Sequence, residues 1–107
     1  MGTLVKFVKL NNLQYNANRD PQVYRRLVGE KFRIQAFIAG SGTAHCALLD
    51  PLGAPIIARG VLPPASFDAE VAFDTPGQRL VTLEVTRGAE HFTQILRLDV
   101  LERAWIG

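Results

Sequence analysis

Apolar and polar residues alternate with period two in short runs, and Gly, Pro and Asp separate the runs. Alternation at that period turns successive side chains to opposite faces, so each run predicts a strand with one face on a core. Residues 4–10 form the first run, with Val5, Phe7 and Lys9 on one face and Leu4, Lys6, Val8 and Leu10 on the other. Both faces carry apolar groups, so this register stays open. Residues 30–39 place Phe32, Ile34, Ala36 and Ile38 together, and residues 43–49 place Ala44, Cys46 and Leu48 together. A short strand is predicted over 54–59. Residues 66–73 align Phe67, Ala69, Val71 and Phe73. Residues 79–86 align Val81, Leu83 and Val85, and residues 90–101 align Leu96, Leu98 and Val100. Turns are predicted at Gly40-Ser41-Gly42, Asp50-Pro51-Leu52-Gly53, Thr75-Pro76-Gly77 and Arg87-Gly88-Ala89, with a break at Pro63-Pro64. The expected core is Phe32, Ile34, Ile38, Leu48, Phe67, Val71, Val81, Leu83, Val85, Leu96 and Leu98.

Seven such strands fit in 107 residues as one domain. The connections after Gly40 are too short for parallel crossovers, so the expected fold is all-β and antiparallel. Strands with one apolar face each must pack as two sheets or close into a barrel. Residues 11–29 are the exception, polar and long for a connection. Within them Asp20-Pro21 can cap a short helical turn over residues 21–27, because Asp accepts backbone N–H bonds and Pro suits the first helical position.

Two stretches resemble bacterial immunoglobulin-like modules, including the polycystic-kidney-disease type. Leu27-Val28-Gly29-Glu30-Lys31-Phe32-Arg33-Ile34-Gln35-Ala36 is similar to the entry into their second strand. Phe73-Asp74-Thr75-Pro76-Gly77-Gln78-Arg79-Leu80-Val81-Thr82-Leu83-Glu84-Val85-Thr86, followed by Leu96-Arg97-Leu98-Asp99-Val100, is similar to their closing hairpin. Leu80 stands where the pattern has Tyr, and the Cys…Trp…Cys elements of antibody domains are missing. The resemblance implies a seven-stranded immunoglobulin-like β-sandwich over residues 1–107 and a role in recognition or spacing. It implies no functional residue.

Composition narrows the function classes. With 48% apolar and 21% charged residues, the chain is neither disordered, nor collagenous, nor a coiled coil. Cys46 is alone, so no intrachain disulfide forms. No signal peptide is expected, because the start is interrupted by Lys6, and no apolar run is long enough to span a membrane. The net charge of +2 demands no nucleic acid, and the compartment stays undetermined.

The chemistry-bearing residues do not converge. His45 and Cys46 are sequence neighbours on a strand and point to opposite faces, so one metal cannot readily take both, and nothing in the sequence brings His91 to Cys46. Gly40-Ser41-Gly42 joins two strands and is not the strand-to-helix elbow of a hydrolase serine. Asp68, Glu70 and Asp74 read as a solvated outer face. No cofactor, no metal and no enzymatic activity are expected. The expectation is a structural or protein-recognition module, with an accessory subunit of a larger bacterial assembly as the alternative. Its partner would be another protein. The expected contact is the segment Asn11–Gly29, through Tyr15, Tyr24, Arg25 and Arg26, since Arg and Tyr combine contact area with directed hydrogen bonds. Trp105 and Ile106, apolar beyond the last strand, would fold back or meet a partner.

Overall fold

A computed structural model describes residues 4–11, 13–15 and 24–102. Among these residues there are nine strands and no helix: β1 (Val5–Leu10), β2 (Leu13–Gln14), β3 (Arg26–Leu27), β4 (Phe32–Ile38), β5 (Ala44–Leu49), β6 (Pro55–Val61), β7 (Ala65–Val71), β8 (Gly77–Arg87) and β9 (Glu90–Leu101). They form a four-stranded sheet in the order β2-β1-β4-β7 and a five-stranded sheet in the order β3-β9-β8-β5-β6.

The seven strands read from alternation are all present, and every residue of the expected core is buried. The count differs because β2 and β3 hold two residues each, too few for any alternation to register. The pairing is also not wholly antiparallel: β3 runs parallel to β9, with Arg26 beside Val100 and Leu27 beside Leu101. A parallel neighbour needs a long return path, and here most of the chain lies between the two strands. The helical turn expected over 21–27 is corrected at its end, since Arg26–Leu27 are strand. Residues 21–23 lie outside the described residues, as do Trp105 and Ile106.

The open register of β1 is settled by a bulge. Val5 pairs Ile38 and Phe7 pairs Phe37, so Lys6 is the extra residue. One inserted residue shifts the side-chain phase, which lets Val5, Val8 and Leu10 all face inward. Phe7 and Phe37 then stack on the outer face, with ring centroids 4.4 Å apart.

The core joins both sheets: Phe32, Ile34, Ala36 and Phe67 from one, Leu48, Val81, Leu83, Val85, Leu96 and Leu98 from the other. The two margins of the fold are unlike. At one, the sheets end in the two-residue strands β2 and β3. At the other they end in the seven-residue strands β6 and β7. Arg59 of β6 closes that second margin. It stands on the Cys46 side of the sheet, stays exposed at the margin, lies 5.6 Å from the Phe67 ring and donates to the Asp68 carbonyl at 2.8 Å. A charged side chain on an edge strand discourages further strand pairing there.

Candidate functional site

The segment expected to bind a partner is anchored by one buried polar side chain. Asn11 ends β1 at a φ of 55°, a left-handed conformation that Asn tolerates better than most residues. Its Nδ2 donates to the Tyr24 carbonyl at 2.8 Å, and its Oδ1 accepts from the Arg33 N–H at 3.0 Å. Tyr24 is thereby pinned in the core with 2% of its surface exposed, and its hydroxyl donates to the Gln14 carbonyl at 3.1 Å. Tyr15 is half-buried, its ring 5.2 Å from that of Tyr24, and its hydroxyl accepts from the Arg97 N–H. The structure therefore brings the two tyrosines together, but as packing and hydrogen-bonding groups. Arg25 and Arg26 are half-buried beside them. Arg26 donates to the Arg25 carbonyl, and the Arg25 Nε is buried with no hydrogen-bond partner.

The histidines and the cysteine separate as their positions require. His45 is exposed on the outer face of the five-stranded sheet, and Cys46 is buried on the inner face. Burial pushes the Cys46 thiol up to about 11, with Arg59 pulling the other way, so it is a poor nucleophile near neutrality. His91 lies on the same outer face as His45, and Thr86 pairs with both. Among the described residues no three His, Cys, Asp or Glu side chains are grouped to hold a metal. Asp68 and Glu70 are exposed, and Asp68 is engaged by Gln35 and Ser66. Asp74 lies beyond the end of β7. A groove of about 540 Å³ runs beside Arg59, between β6 and β7, lined by Lys31, Arg33, Ile57, Asp68 and Glu70. Its lining mixes both charges.

The outer face of the five-stranded sheet is different in kind. Register places Leu49, Thr82 and Ile95 in one row across β5, β8 and β9. Ile56 joins the row from β6, in a bulge where Leu48 pairs Ile57 and Leu49 pairs Pro55. Leu80 stands one row along, opposite Arg97. Ile95 is 60% exposed, Leu80 44% and Ile56 40%. Scattered single apolar residues on a surface need no explanation, but a cross-strand row does. The two-residue period of residues 79–86 puts Leu80 and Thr82 on the side opposite Val81, Leu83 and Val85. An apolar residue in an outward register was the available signal.

The sequence matches no known family and no curated protein. Among the described residues no helix is long and apolar enough to cross a membrane.

Proposed function

We propose that the chain is a non-catalytic recognition module of the immunoglobulin-like type, and that it docks another protein on the outer face of its five-stranded sheet. The order of pairing supports the fold reading. Setting aside the two short strands, β1, β4 and β7 share one sheet and β6, β5, β8 and β9 the other, which is the constant-type immunoglobulin division except that the fourth strand, β6, pairs with β5 instead of joining the sheet of β7. The observation that carries the function is the exposed cross-strand row through Ile95, while among the described residues no three metal-ligating side chains are grouped. Burying such a row supplies the apolar centre of an interface, and the charged residues around it supply the rim.

A second reading keeps the contact at Arg25 and Arg26. It is favoured by the residue types alone, since arginine combines contact area with directed hydrogen bonds and both residues are only half-buried. Tyr24 contributes no contact area to it.

Hydroxyl-radical footprinting separates the two. The partner is recovered with tagged protein from an extract of the native host, and oxidation is compared in the free and bound chain. Protection of Ile95 and Leu80 is the expected result. Protection confined to the segment around Arg25 overturns the sheet-face reading in favour of the second.

A further inference from the structure

The outer face of the five-stranded sheet has two unlike ends on either side of the Leu49–Thr82–Ile95 row. On one side the register brings Glu84 and then His91, with the His91 Nε2 3.5 Å from Glu84. Small residues lie beside them: Ala47 pairs Ala58 and His45 pairs Gly60. They leave a hollow of about 320 Å³. On the other side come Arg97 and then Asp99, and the β5–β6 turn with Leu52 94% exposed. That turn is held rigid, because the Asp50 carboxylate accepts from both the Leu52 and Ala54 N–H groups at 2.9 Å.

We propose that this face pairs with a second copy of the chain, about a two-fold axis that crosses the strands at the Leu49–Thr82–Ile95 row. The inference rests on the sheet-face reading and names the occupant. Rotation about that axis lays each end of the face over the opposite end of the other copy. Strand β8 then faces β8, and β9 faces β9. Arg97 of one copy comes beside Glu84 of the other, and Asp99 comes over His91. The rigid turn of one copy overlies the small-residue hollow of the other, where Leu52 comes over Ala47 and Ala58, with His45, Glu84 and Thr86 around them.

Three features favour a second copy over an unrelated protein. Arg97, which bonds Asp99 of its own chain at 3.1 Å, comes within reach of Glu84 of the other copy under the rotation, and the symmetry doubles that match. The exposed Leu52 of the turn and the small-residue hollow sit on opposite sides of the axis, as self-complementarity requires. The turn is already ordered, so little entropy is lost when it docks. Four strands about 4.8 Å apart and roughly seven residues long give a footprint of only a few hundred Å² in plan. That belongs to the small, reversible class of interface.

Sedimentation velocity of the chain over about 5–500 μM tests the pairing, with a midpoint expected at roughly 10–100 μM. Ile95→Asp should raise the midpoint at least about tenfold. Glu84→Arg and Arg97→Glu should each raise it, and the two together should restore it. All three positions lie on an outer face, and melting temperatures confirm the fold. Leu52→Ser, in the turn, serves if a strand variant fails to fold. A chain that stays monomeric throughout, or a dimer indifferent to Ile95→Asp and Leu52→Ser, overturns the pairing. The footprint is read at chain concentrations well below that midpoint, where the face is free, and a host partner that leaves Ile95 unprotected there overturns the sheet-face reading on its own.

Discussion

The Asn11 side chain completes the β1–β4 ladder on Arg33. The Asn11 N–H donates to the Arg33 carbonyl at 2.7 Å, and the Arg33 N–H donates to Asn11 Oδ1 at 3.0 Å. One residue thus plays both halves of a strand pair while its backbone turns away at positive φ. Its side-chain Nδ2 donates to the Tyr24 carbonyl, so Tyr24 is tied to the sheet at this point.

Replacing Asn11 by Ala should cost about 2–4 kcal/mol, because an N–H and a carbonyl lose their partners and Ala is disfavoured at that φ. Denaturant unfolding measures it. Asn11→Gly relieves the backbone strain and should recover only part of the loss. A loss near zero in both variants would mean that the segment is not held by this residue.

Truncation at the centre of β8 tests the strand register. Leu83 is fully buried, so Leu83→Ala should cost about 2–5 kcal/mol. The same change at Leu80, on the opposite face of β8, should cost less than about 1 kcal/mol.

The β4–β5 turn depends on a close approach. Gly40 sits at a φ of 87°, and an added Cβ would lie 2.7 Å from Arg87 Nη1. The Arg87 guanidinium cannot simply swing aside, because it bonds the Ala39 carbonyl and pairs with Glu90 at 2.9 Å. Gly40→Ala should therefore cost roughly 1–3 kcal/mol, read as a lowered melting temperature. Gly53 also has positive φ but nothing near its missing Cβ, so Gly53→Ala should cost less.

The buried thiol links stability to alkaline pH. Its folded pKa, about 11, lies above the unfolded value of 9.0. Between those values the unfolded chain loses the proton first, so stability falls as pH rises through that window and is unaffected below it. Cys46→Ala should flatten that part of the stability–pH curve. In the native state Cys46 should also resist alkylation and react on unfolding.

Strands with a clean two-residue period were legible from the sequence, and so was the core they bury: Phe67, Leu83 and Leu98 follow from alternation alone. The β1 phase was not, because the bulge at Lys6 breaks the period within the strand. Tyr24 was also misjudged in character. It lies where no periodicity exists, and its burial depends on Asn11 reaching across thirteen residues of sequence. The separation of His45 from Cys46 followed directly from strand geometry. The apolar row on the outer face was half legible. The outward register of Leu80 was readable, but only the pairing of β8 with β5 and β9 lines Thr82 up with Leu49 and Ile95.

The most direct test of the sheet face as the docking surface is a binding titration of the purified host partner against three forms of the chain. Wild type, Ile95→Asp and the double variant Arg25→Ala/Arg26→Ala are compared after each is shown to melt normally. Loss of at least about tenfold in affinity for Ile95→Asp, with the arginine double variant near wild type, is the predicted result. Unchanged affinity for Ile95→Asp, with binding lost in the double variant, would contradict it.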